Sequence, residues 1–152
     1  MADPTFARNN IVRYEGESVK RFPVAAGVKL LRGYLMQITS GGTGEVDYAI
    51  DTGVVPGFSI ENVDNTGGSA GAKFINVATD GEIILQGDAT LANADGQGVG
   101  DLAYPNAAAT VDGLEVDSAG TNPAGRVSAF ENTNDQHGLT NAVCVVVGPK
   151  AL

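Results

Sequence analysis

Gly67-Gly68-Ser69-Ala70-Gly71 has the G-x-S-x-G spacing of a serine nucleophile elbow, and Asp80 or Asp135 followed by His137 supplies triad partners in a workable chain order. An elbow needs a strand that delivers the serine into a strained turn and a helix that leaves it. Here a polar run over 64–71 surrounds Ser69 and a strand-like run follows it, so the spacing reads as a glycine-rich loop. A Ser69-dependent hydrolase is the outside alternative. Zinc sites draw several ligands from His and Cys, and this chain has one of each, His137 and Cys144. Cys144 sits in the apolar run 142–147, where a small core filler is expected and a reactive thiolate is not. The stretch from Asp95 to Asp101 holds one copy of a glycine-aspartate pattern, too few oxygens for a hard cation, and reads as a turn. Asp80 with Glu82, and Glu115 with Asp117, have the two-residue spacing of a solvated strand face rather than of a catalytic pair. No phosphate-cradling loop with its lysine and no dinucleotide fingerprint occurs. The sequence therefore predicts no enzyme, no cofactor and no metal.

The elements that hold these residues are strands. Val and Ile number 24 against 11 for Leu and Met, and 21 of the 152 residues are Gly. That balance favours strands and turns. Short extended segments are expected at 10–14 and 19–24, separated by a turn at 15–18. A further strand is expected over 28–39, then short ones at 46–50 and at 54–63, bent at Pro56-Gly57. Residues 74–85 read as a hairpin about Asp80-Gly81, because Asp-Gly supplies the positive-φ positions of a tight primed turn. Residues 109–116 repeat that pattern about Asp112-Gly113. The last strands fall at 101–104, 125–131 and 142–147, the final one apolar throughout and expected to be buried on both faces. Nine to eleven short strands with frequent turns predict an all-β fold: a compact antiparallel β-sandwich or small barrel with Gly-rich loops. An extended N-terminal arm over 1–14 precedes a single β domain over 15–152.

Charge narrows the function. The net charge is −9, yet the first 32 residues carry six of the nine basic side chains against three acids, and the remainder is −12. An acidic body repels phosphate backbones, so no nucleic acid is expected as a partner. No apolar run approaches the roughly 20 residues that cross a bilayer, so no membrane is expected either. Residues 1–10 lack an apolar signal core, and one cysteine makes no internal disulfide, which together fit synthesis in a reducing cytosol.

Five segments follow in order: Phe22-Pro23-Val24-Ala25-Ala26-Gly27-Val28, Val55-Pro56-Gly57-Phe58-Ser59, Val77-Ala78-Thr79-Asp80-Gly81-Glu82-Ile83, Gly100-Asp101-Leu102-Ala103-Tyr104 and Gly125-Arg126-Val127-Ser128-Ala129-Phe130. In types and order they resemble the capsid cement, or head decoration, proteins of tailed bacteriophages. The resemblance runs from Phe22 to the C-terminus; the loop 64–71 and the segment 132–139 have no counterpart in it. It implies a structural virion protein on the outer surface of an icosahedral head, bridging neighbouring capsomers. Its partners would be the major capsid protein and copies of itself, as a trimer in preference to a dimer. Another phage structural module, a tail-tube or fibre component, is the alternative. The basic N-terminal segment is the expected attachment region: Arg8, Arg13, Lys20 and Arg21 to draw an acidic surface, with Phe6, Ile11, Val12 and Tyr14 as apolar and aromatic contacts.

Overall fold

Short β-branched runs cut by glycine and asparagine turns yield thirteen strands among the described residues, with a single turn of 3-10 helix at Ala89–Leu91. The computed structural model describes residues 3–5, 7–8, 12–14, 18–39, 43–91, 99–108, 111–130, 139 and 141–148, with backbone alone at 12–14 and 89. The strands are β1 (Val12–Tyr14), β2 (Val19–Pro23), β3 (Lys29–Leu30), β4 (Leu35–Ile38), β5 (Val46–Tyr48), β6 (Gly57–Ser59) and β7 (Val63–Asp64). They continue with β8 (Phe74–Ala78), β9 (Gly81–Gly87), β10 (Leu102–Pro105), β11 (Glu115–Asp117), β12 (Gly125–Phe130) and β13 (Ala142–Val147). The fold is all-β, as the sequence predicts.

Five strands close on themselves in the order β9-β11-β10-β12-β13, because β13 returns to pair with β9 from Ala142 opposite Gln86 to Val147 opposite Gly81. Every pairing in this ring is antiparallel except β9 with β11. The short β1 lies on the free half of the β9 edge, at Ile83 and Glu82, ahead of β11 at Gln86 and Gly87. A second sheet runs β2-β8-β6-β4-β5, and its outer strands touch at one bridge between Val24 and Val46. β3 and β7 form a separate ribbon.

Two apolar clusters follow from this arrangement. One gathers Ile83, Leu85, Val116, Val127, Val143 and Val145 of the ring with Leu35, Phe58 and Ala78 of the second sheet. The other fills the second sheet with Val24, Leu30, Tyr34, Met36, Tyr48, Ile75 and Val77. Alternate residues on a strand face opposite ways, so burial of Ile83, Ile84 and Leu85 in succession makes β9 a wall with packing on both faces. Val143, Cys144 and Val145 do the same on β13, in agreement with its apolar run. Asp51, at φ +67°, ties the two bodies from outside: its carboxylate accepts hydrogen bonds from Thr121 N at 2.9 Å and Asn122 N at 2.7 Å.

Three local expectations are corrected. Residues 28–39 form two strands rather than one, broken by a turn at Gly33, whose φ of +97° suits glycine. The segment 74–85 is no hairpin: β8 joins one sheet and β9 the other, and the Asp80-Gly81 turn is a corner between them. The Asp80 carboxylate caps the start of β2 there, its Oδ1 accepting from Ser18 N at 2.9 Å. The described part of 109–116 is not a tight hairpin about Asp112-Gly113 either: the turn there, with Leu114 N donating to Val111 O at 3.3 Å, lies in the long loop that joins β10 to its antiparallel neighbour β11, and Gly113 bonds to the second sheet. Gly113 O accepts from Leu35 N at 2.9 Å, and its N–H donates to Ala49 O at 3.1 Å.

Gly57 opens β6 where a Cβ would fall on the carbonyl oxygen of Ala78. We expect Gly57→Ala to lower unfolding free energy by about 2–3 kcal/mol. A urea titration with a lower midpoint and unchanged slope would report it.

Candidate partner-binding surface

The residues expected to meet a partner are divided by the fold into an interior group and a surface group. Arg8 is 6% exposed and belongs inside. Its Nη1 donates to Gly33 O at 3.0 Å and its Nη2 to Ile84 O at 2.7 Å, while the guanidinium stands 5.6 Å from the Tyr34 ring centroid. Its backbone N–H donates to Arg32 O at 2.9 Å. Gly33 belongs to the β3–β4 turn and Ile84 to β9, so one cation bridges the two bodies. The expectation that Arg8 draws an outside surface is therefore corrected: it is buried, and its donors are directed at main-chain carbonyls within the protein. Pro4 is buried as well, and β1, with Val12, Arg13 and Tyr14, is paired to β9. The described part of residues 1–14 lies against the body. Phe6 and Ile11 fall outside the described residues.

Lys20 and Arg21 are the surface group, exposed on β2 beside Val19, which is 48% exposed. Register sets Arg21 opposite Asn76 and Pro23 opposite Phe74. The Arg21 guanidinium stacks 5.1 Å from the centroid of Phe74, itself 45% exposed. Stacking of this kind holds a guanidinium in place while leaving its edge donors available. Beyond Lys20 and Phe22 the two sheets part around a cleft of about 680 Å³, walled by Val55, Pro56, Val146 and Val147 and rimmed by Asp80 and Glu82. That pair, expected on a solvated strand face, thus stands at the cleft margin.

The other residues singled out by spacing are scattered. Ser69 is exposed in the turn after β7, its carbonyl accepting from Asn65 Nδ2 at 3.1 Å, with a turn and then β8 following where an elbow would place a helix. Cys144 is buried in β13. His137, Asp135, Asp95 and Gly96 lie outside the described residues. Among the described residues no group of three His, Cys, Asp or Glu side chains is placed to hold a metal ion.

Sequence reading missed the Arg8 bridge, because an arginine near an N-terminus carries no local signal of burial. It also missed a group of acids that influence one another across the second sheet. Burial raises the Asp47 carboxyl above its ordinary value, an effect the Tyr48 N–H reduces and Asp3 reinforces. Burial also raises Asp112, with Asp3 and Asp47 adding to it. The Tyr48 hydroxyl is raised by burial in the same region, where it accepts from Leu31 N and donates to Lys29 O, both at 2.9 Å. No family model, curated protein or solved structure matches the chain.

Two outcomes follow from this geometry. Arg8→Ala leaves Gly33 O and Ile84 O without their charged donor, and should cost about 2–4 kcal/mol in a urea titration, with Arg8→Lys between variant and parent. Asp47 and Asp112 bind protons more tightly folded than unfolded, so the stability they contribute is complete below the ordinary aspartate value of 3.8 and is lost as pH rises through their raised values. The stability of Asp47→Asn should accordingly fall less than that of the parent over that rise. Equal slopes in the two proteins would show that Asp47 titrates normally.

Proposed function

We propose that this chain is a structural virion protein that binds the outer surface of an icosahedral phage head and cements neighbouring capsomers. The observation that carries this reading is the ordered set of segments that resemble the cement family. In the fold they occupy the end of β2, then β6, the β8-to-β9 corner, β10 and β12, and so include strands of both sheets. A protein of this kind works by presenting a rigid surface many times over on a lattice. Modest contacts suffice, because each neighbour already fixed makes the next contact effectively intramolecular. A paired sheet suits that task, since the β2–β8 ladder holds exposed side chains such as Lys20, Arg21 and Phe74 in fixed relation.

The partner is the major capsid protein, joined by other copies of this chain in a trimer at threefold or pseudo-threefold positions, with a dimer at twofold positions as the variant arrangement. The acidic body keeps the many copies soluble before they attach.

The test uses heads prepared without this protein from the phage that encodes it. Added protein should saturate the heads and raise the temperature at which they release DNA, read with an intercalating dye. Image reconstruction should place its density on the outside of the shell, grouped about threefold positions. Heads that neither bind the protein nor gain heat resistance would overturn the reading, as would assembly of the protein by itself into tubes or fibres.

A further inference from the structure

Among the described residues, the edge of β2 that faces away from β8 carries unused hydrogen-bonding groups. Thr79 N donates to Ser18 O and Val24 N to Lys73 O, each at 2.9 Å, which sets the phase of the β2–β8 ladder. Residues 18, 20, 22 and 24 turn their backbone polar groups toward β8, and Val19 and Arg21 turn theirs the other way. Among the described residues neither Val19 nor Arg21 has a partner on that side, and β5 covers the edge only from the Val24–Val46 bridge onward, where Ala25 N donates to Val46 O at 3.1 Å. Pro23, without an N–H, marks where the open stretch ends.

The side chains beside this edge are as little engaged. Lys20 and Arg21 make no ion pair or side-chain hydrogen bond among the described residues, in a chain with twice as many acids as bases. Exposed Val19 and Phe74 flank Arg21, and the cleft opens beside Lys20 and Phe22. A strand-addition site combines these parts: a free edge for backbone pairing, with pockets or charges for alternate side chains.

We infer that β2 is a docking edge for an extended segment of the shell protein that alternates acidic and apolar residues. Resting on the function proposed above, this names the part of the partner that is bound. The segment pairs with Val19 and Arg21, sets carboxylates against the Arg21 guanidinium on the Phe74 side, and places apolar side chains in the cleft beside Phe22. A second copy of this chain, pairing through the same edge about a twofold axis, would bring like charges of Lys20 and Arg21 together, which opposes self-pairing.

Proline provides a selective test. Because the Arg21 N–H points away from β8, Arg21→Pro removes a group needed by the incoming strand and none needed by the sheet. Arg21→Glu leaves the backbone intact and reverses the charge. Both should melt close to the parent and bind heads lacking the protein at least about tenfold more weakly. The Val19 and Arg21 amides should exchange freely in solution and slowly in head-bound protein. The proposal falls if Arg21→Glu binds heads as tightly as the parent, or if those amides still exchange freely on the head. Slow exchange in concentrated free protein would assign the edge to a second copy and overturn the named occupant. Failure of the parent to bind heads is a different result, which removes the function reading and the occupant with it.

Discussion

Everything in this fold is arranged about β9 and β13, which pair over six positions and are packed on both faces. A five-stranded sheet can close only where its two outer strands find each other, and strands buried on both sides must be apolar nearly throughout. The run Ala142 to Val147 and the triplet Ile83, Ile84, Leu85 meet that demand. With this wall in place, its residues share one core with Val116 and Val127 of the ring and with Phe58 and Ala78 of the second sheet. Arg8 then fastens the junction by using a charge where apolar packing offers no partner for the carbonyls of Gly33 and Ile84. Burying a guanidinium is costly unless its donors are met by acceptors, and here the backbone and the Tyr34 face supply them.

The same division explains why the basic N-terminal region does not behave as a unit. Its charges look equivalent in sequence. In the fold, Arg8 is an internal fastener while Lys20 and Arg21 stand outside on an edge strand. Under the proposed function, attachment and stability would be carried by neighbouring residues of one segment, and a truncation through 14 would remove the fastener together with β1.

Much of the architecture was legible because it rests on local patterns. β-branched runs located most of the strands, and the uninterrupted apolar stretch at 142–147 announced a doubly buried strand. What misled was turn chemistry. Asp80-Gly81 and Asp112-Gly113 are good turn formers, but a turn residue specifies a change of direction and not the strand that will be met afterwards. At Asp80-Gly81 the chain passes from the second sheet to the ring, and at Asp112-Gly113 the loop between the paired strands β10 and β11 reaches out to Leu35 and Ala49 before it returns. Gly33 was the opposite error, a glycine inside an apolar run that proved to be a break. For the surface, exposed Lys20 and Arg21 were legible as charges. The open backbone edge beside them depends on ladder phase and became visible only with Ser18 and Val24 in register.

Closure of the ring by β13 also bears on how the chain reaches this state. Gly81 meets Val147, and Arg8 reaches Ile84, so the decisive contacts join parts of the chain far apart in sequence. Proteins dominated by such distant pairings fold slowly, because loop closure comes before the contacts that reward it. On the ribosome, the ring strands would wait with an open seam until the last strand has emerged. The second sheet, complete by Ala78, has all its strands available well before then. Synthesis would therefore present the strands of one sheet before those of the ring are complete, and emergence of β13 becomes the event that closes the seam.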